Sequence, residues 1–175
     1  MKHAYLECGK IINKHGFRGA VKLESWCDTP RDLARVKTYW LADGDGYRPL
    51  PVRKASVLGT FVLAELEGVE SEEAADRLRG KTVYASRDEF SLPEGGYFLA
   101  DVIGLPVRDA DSGDLLGTLT AVDTRGHANL FTVRTASGGE ALVPDVPQFV
   151  TRVDVDDAVY IRPIPGLLDG GAENA

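Results

Sequence analysis

Gly9-Lys10-Ile11-Ile12-Asn13-Lys14-His15-Gly16-Phe17-Arg18-Gly19-Ala20-Val21-Lys22 is the densest stretch of the chain. Leu6 to Ile12 reads as extended. So does Ala20 to Ser25, where Val21 and Leu23 alternate against Lys22 and Glu24, the period of a strand with one buried face. Between the two strands, Gly16 and Gly19 free the backbone for a tight turn and hold Phe17 and Arg18 between them. Lys14, His15 and Arg18 are expected to project from this loop as donors suited to phosphate or carboxylate. A Gly-x-x-Gly beside a basic residue also fits the backbone clamp of KH domains. That clamp joins helices, however, and the flanks here are strand-like. A hairpin whose charges are merely solvated is the plain alternative, set against the tendency of loops to carry function.

Outward from this hairpin the same signature repeats. Lys37 to Ala42 and Tyr47 to Ala55 flank Asp43-Gly44-Asp45-Gly46, residues that tolerate the positive φ of a hairpin turn. Thr60 to Leu66 is apolar on both faces, as a strand of a closed barrel is. Two short helices interrupt. Thr29-Pro30 opens a brief turn through Val36 as cap and first helical residue. Ser71-Glu72-Glu73 caps a second, with Ala74, Ala75 and Leu78 as its stripe, Arg77 and Arg79 in its last turn and Gly80 as its stop. Its small-residue face suits a plug at a barrel end.

Ser86 to Gly96 is polar, contains Pro93 and ends in two glycines. Beyond it, Leu105–Arg108, Leu115–Val122, Leu130–Thr135, Glu140–Val143, Val150–Val155 and Ala158–Arg162 read as strands, with turns at Asp111-Ser112-Gly113 and Ser137-Gly138-Gly139. No helical period is visible there. The expectation is an all-β protein with short helices: two small β-barrels in tandem, over residues 1–88 and 97–169, joined by a linker at 89–96 and followed by a flexible tail at 170–175.

Charge divides at the same place. The chain of 175 residues carries a formal net charge of −7. Residues 1–90 hold 15 basic and 14 acidic side chains, whereas residues 91–175 hold 5 and 13, so the balance moves from +1 to −8. The basic excess gathers in the first 22 residues, where Lys2, Lys10, Lys14, Arg18 and Lys22 stand against Glu7 alone. Nucleic acid would meet this stretch, and the acidic half would be repelled from phosphate. The longest apolar runs, Tyr39 to Ala42 and Phe61 to Ala64 among them, span four residues, too short for a bilayer. No apolar core follows Met1-Lys2, so a cytoplasmic protein without a membrane role is expected.

The chemistry-bearing residues are sparse. The chain contains no CxxC, HExxH, GxSxG, Walker-type loop or GxGxxG. Cys8, Cys27, His3 and His15 match no common zinc spacing. Asp109-Ala110-Asp111-Ser112-Gly113-Asp114 lacks the later ligands of a calcium loop and reads as a hairpin turn. Asp154, Asp156 and Asp157 read as a solvated turn. No catalytic residue, metal or cofactor is expected.

The Gly9–Lys22 stretch resembles the opening of the RimM family of bacterial ribosome maturation factors, whose pattern runs G-K-[IV]-x-x-x-H-G-[IL]-[KR]-G-E-V-K; Phe17 and Ala20 depart from it. The resemblance continues through Leu66-Glu67-Gly68-Val69, Ala74-Ala75-Asp76-Arg77-Leu78-Arg79-Gly80-Lys81 and Val83-Tyr84. It resumes at Gly96-Tyr97-Phe98, Asp101-Val102-Ile103-Gly104-Leu105, Gly117, Asn129-Leu130, Leu142-Val143-Pro144 and Pro163-Ile164-Pro165-Gly166-Leu167-Leu168-Asp169. It implies a translation-factor-like N-terminal barrel followed by a PRC barrel. It further implies a non-catalytic factor, monomeric in solution, that binds immature 30S subunits through small-subunit ribosomal protein nineteen and assists 16S rRNA processing and head maturation. The family's paired aromatics map to Tyr97 and Phe98, and Leu99-Ala100-Asp101 stands where Trp-His-Asp is usual. The residues expected to meet the ribosomal protein are therefore Tyr97, Phe98 and Asp101. Tyr97 and Phe98 are read as alternating across a strand, with Tyr97 the exposed member. Those facing RNA are Lys10, Lys14, His15, Gly16, Phe17, Arg18, Gly19 and Lys22. A two-barrel adaptor for another basic protein is the alternative, and a small hydrolase using Cys or His the third reading.

Overall fold

The computed structural model describes residues 2–168. The tail expected at 170–175, and Asp169 before it, lie outside the described residues. The chain divides into two compact units, His3–Ser91 and the residues from Leu92 onward with Lys2. No helix among the described residues is long and apolar enough to cross a membrane.

The first unit is a closed barrel of β1 (Tyr5–His15), β2 (Ala20–Ser25), β3 (Thr38–Asp43), β4 (Gly46–Leu58), β5 (Phe61–Leu66) and β6 (Thr82–Ser86), in the order β1-β2-β5-β4-β3-β6. Every neighbouring pair is antiparallel. Alternation drives one side chain in two inward, so Val21, Leu23, Val62, Ala64, Val83 and Ala85 line the interior. The helix α1 (Pro30–Arg35) adds Leu33 and is closed by Val36, both buried. Burying such a leucine contributes about 1.5–3 kcal/mol. The hydroxyl of the buried Tyr39 donates to the Leu33 carbonyl at 3.0 Å, which satisfies a polar group inside the core. The Asp32 carboxylate accepts from the Thr29 amide at 3.0 Å and from its hydroxyl at 2.8 Å, fixing the start of α1.

Two features differ from the sequence reading. β1 continues through His15, so Lys14 and His15 lie on a strand and the turn is confined to 16–19. A bulge between Ile11 and Asn13 resets the alternation of β1, which masked its length. The second difference is β6, a strand not among those expected from the sequence; it pairs with β1 on one side and β3 on the other, and so closes the barrel. The helix α2 (Glu72–Arg77) starts at its serine cap, where Ser71 Oγ accepts from the Ala74 amide at 3.1 Å, and buries Ala75 and Leu78. After β6, the Glu89 carboxylate accepts from the Lys37 amide at 2.6 Å, and Phe90 packs on the first core.

The second unit is a six-stranded sheet of β7 (Pro106–Asp109), β8 (Leu115–Asp123), β9 (Leu130–Thr135), β10 (Glu140–Pro144), β11 (Val150–Val153) and β12 (Val159–Ile161). Its order is β10-β9-β8-β7-β12-β11, with β7 and β12 parallel. Val107, Leu119, Phe131, Val133, Val143, Val159 and Ile161 form its core. Gly117 is obligatory here: a Cβ would lie 2.3 Å from the Arg134 carbonyl oxygen of the neighbouring strand. The acidic turn after β11 is held by the Asp157 amide donating to the Asp154 carbonyl at 3.0 Å and by the Asp156 amide donating to Asp154 Oδ1 at 3.1 Å.

A helix occurs where none was expected. Leu99–Val102 forms α3, with Phe98 at its N-cap in extended conformation. Four residues are too few to show a helical period, and the buried Val102 anchors the turn. Tyr97 and Phe98 therefore do not alternate across a strand.

Candidate functional site

The β1–β2 turn owes its shape to two glycines with different constraints. Gly16 has φ of +70° and open space where a Cβ would stand. Gly19 has φ of +90°, and its Cβ would lie 2.5 Å from the Val69 carbonyl oxygen and 2.9 Å from the Ser71 amide nitrogen. The turn is thus pressed backbone to backbone onto the segment that leads into α2. At its tip Phe17 is 75% exposed, the most exposed large apolar side chain of the described residues. The Arg18 guanidinium lies 5.8 Å from the centre of the Phe17 ring.

The remaining expected RNA-facing residues divide by what they touch. Lys14 donates its ammonium to Glu72 in the first turn of α2, and this bond raises its pKa. The charge of Lys14 thus ties the hairpin to the helix. His15 is exposed and stands opposite Ala20. Lys10 is half-buried opposite Glu24. The Lys22 ammonium sits 4.1 Å from the centre of the Phe61 ring. The structure therefore brings Phe17 and Arg18 together as a bare tip, with Lys10 and Lys22 further down the same two strands.

The expected protein-facing residues depart further from the sequence reading. Tyr97 is half-buried, packs on the second core and donates its hydroxyl to Asp145 Oδ2 at 2.5 Å. Burial and then the bond to Asp145 push the Tyr97 hydroxyl well above the usual tyrosine range. Tyr97 is therefore not the freely exposed member of the pair; Phe98 is half-buried as well. Asp101, in α3, is only 3% exposed, so its carboxylate is not presented at the surface as the sequence reading expects. Asp145 also accepts from the Asn129 amide group at 3.4 Å, and its own backbone N–H donates to the Asn129 carbonyl at 2.8 Å. Tyr97, Asn129 and Asp145 form one polar cluster at the edge of the second core. Sequence reasoning missed Asp145, which had no local signal; Asn129 stood among the family-like residues without an assigned role.

The cysteines show the electrostatics of a core. Cys8 is buried, its thiol donating to the Val83 carbonyl at 3.4 Å, and Cys27 donates to the Cys8 carbonyl at 3.5 Å. Burial raises both thiols, Cys27 to about 11 and Cys8 further. A nucleophilic cysteine needs the opposite shift. Among the described residues no three His, Cys, Asp or Glu side chains converge as metal ligands.

Comparison with known proteins covers both units. Residues 6–90 match the RimM N-terminal domain and residues 99–163 the RimM PRC barrel domain. The ribosome maturation factor RimM of Lactobacillus gasseri is 31% identical over 94% of this chain and 97% of its own. That of Symbiobacterium thermophilum is 36% identical over 94% of each chain. Among solved structures, a RimM 16S ribosomal RNA processing protein from Pseudomonas aeruginosa is 24% identical, covering 91% of this chain and 98% of that one with a TM-score of 0.46.

Proposed function

The chain belongs to the RimM family of ribosome maturation factors, and on that premise we propose that it is a monomeric, cytoplasmic, non-catalytic assembly factor for the small ribosomal subunit. It binds immature 30S particles through small-subunit ribosomal protein nineteen and assists 16S rRNA processing and maturation of the head. The observation that carries this reading is the presence of both family domains in order, in a chain whose charge divides between residues 1–90 and 91–175 at +1 and −8.

The two halves suit two kinds of partner. The acidic second half fits a basic ribosomal protein, because opposite potentials steer encounter and fix orientation. Tyr97 and Phe98, at the start of that half, mark the contact; Asp145 holds Tyr97, and the Asp101 amide donates to the Phe98 carbonyl at 3.0 Å. The Phe17–Arg18 tip and the lysines of β1 and β2 fit rRNA, with affinity that falls as salt rises. Holding protein and RNA together favours the native head over misfolded alternatives by differential binding alone, with no bond chemistry.

Sucrose-gradient fractionation of cell extract tests the reading. The protein is expected with free 30S particles and not with mature 70S, and to leave them in high salt. A protein that stays at the top of every low-salt gradient refutes it. Arg18→Glu is expected to weaken 30S association without unfolding the barrel, since Arg18 is exposed; unaltered association in the folded variant would remove the tip from the site.

A further inference from the structure

We propose that the outer face of β1, β2 and β5 is a stacking platform for unpaired nucleotides, with Phe61 as its ring and Lys22 as the cation that gives the ring up. This rests on the RNA-facing reading above and adds the part of RNA recognised and the residues that recognise it. A closed barrel buries its interior and leaves outward side chains without a second layer, so that face is ordinarily polar. Here the strand register sets Lys10, Glu24, Phe61 and Leu58 in one row across four strands, and Asn13, Lys22, Leu63 and Ser56 in the next. Leu58 is 49% exposed, and Trp26, just beyond β2, is 46% exposed.

The charges on this face are committed unequally. Glu24 stands opposite Lys10 and accepts from the Trp26 indole N–H at 3.3 Å. Glu65 stands opposite Lys54. Lys22, by contrast, has a ring for its neighbour, its ammonium 4.1 Å from the Phe61 centre. Apolar and aromatic side chains spaced among lysines on a sheet suit bases that stack while phosphates meet ammonium groups. A duplex hides its base faces, and lysine is depleted at the core of protein interfaces. The platform is also continuous with the hairpin tip: from Arg18 to Lys22 the chain spans at most about 14 Å. On binding, the Lys22 ammonium moves from the ring to a phosphate and a base takes its place. Base–ring stacking is the stronger of the two contacts, since an exposed lysine–ring pair is weak.

The test uses the full chain, with fluorescence anisotropy of an unstructured single-stranded RNA oligomer and of a duplex of the same sequence, beside 30S co-sedimentation. The wild type is expected to favour the single strand. Phe61→Leu, which keeps apolar bulk on the sheet, is expected to weaken single-strand binding roughly tenfold. Lys22→Gln is expected to lower the salt slope for the single strand by about 0.7. Unchanged single-strand binding by folded Phe61→Leu overturns the platform, whatever the 30S result. Equal or tighter binding of the duplex overturns it too, as does wild type that binds neither RNA. Loss of a ribosomal protein by Phe61→Leu with RNA binding intact makes the face a protein surface and also overturns it. Single-strand binding that depends on Phe61 supports the platform; if wild type then fails to sediment with 30S, the ribosomal reading falls and the platform stands.

Discussion

Gly16→Ala and Gly19→Ala change the same residue type in the same turn, yet the structure separates them. Both glycines have positive φ, which costs an alanine about 1–2 kcal/mol. Restricting the unfolded chain returns about 0.4–1 kcal/mol, so Gly16→Ala, with open space around it, is expected to lose about 1 kcal/mol. At Gly19 the new methyl meets backbone, 2.5 Å from the Val69 oxygen and 2.9 Å from the Ser71 nitrogen. Backbone does not swing aside as a side chain does, and overpacking of this kind adds about 1–3 kcal/mol. Gly19→Ala is thus expected to cost about 2–4 kcal/mol. The assay is urea unfolding followed by tryptophan fluorescence. Both tryptophans, Trp26 and Trp40, lie in the first unit, so the signal reports the barrel that carries the turn. Equal midpoints for the two variants would refute the argument, because φ alone would then account for both. A Gly19→Ala variant as stable as wild type would refute the close approach itself.

Tyr97→Phe removes the hydroxyl that Asp145 accepts at 2.5 Å. For a half-exposed bond to a carboxylate this costs about 1 kcal/mol, to be read as earlier thermal unfolding of the second unit; an unchanged transition would contradict it. Tyr97→Ala removes the ring from the core as well, so it is a poor probe of partner binding. Burial holds the Tyr39 and Tyr97 hydroxyls above the ordinary value of 10. A raised folded pKa means their contribution is complete below pH 10 and declines as pH rises beyond it. Tyrosinate absorbance of the folded chain is therefore expected to lag that of the denatured chain, and superimposable titrations would exclude it. Cys27, at about 11, and Cys8, higher still, are expected to resist a thiol reagent at neutral pH until the barrel unfolds. Their contribution is complete below pH 9 and lost above it, and rapid labelling of the native protein would show the thiols to be accessible.

The elements legible in the sequence were those whose signal is local. Val21 and Leu23 against Lys22 and Glu24 declare a strand because backbone pleating sends alternate side chains to opposite faces. Ser71 declares a helix start because its hydroxyl reaches an amide three residues on. Gly16 and Gly19 declare a turn because few other residues adopt positive φ. Where local signals are weak, the elements are not legible. The bulge at Ile11–Asn13 hid the end of β1, and α3 is too short to show a period.

Tertiary structure alone decided what each of these residues does. Lys14 reads as a free donor until Glu72, 58 residues away, takes its ammonium. Tyr97 reads as an exposed aromatic until Asp145, 48 residues on, receives its hydroxyl. Gly19 carries only the cost of its positive φ until Val69 closes on it, and Lys22 is one more surface charge until β5 brings Phe61 beneath it. Alternation, capping and positive φ are properties of a few adjacent peptide units, so they are written in neighbouring residues. Which strand closes the barrel, and which side chains then meet across it, depends on the packing of the whole core, and no stretch of neighbours encodes that.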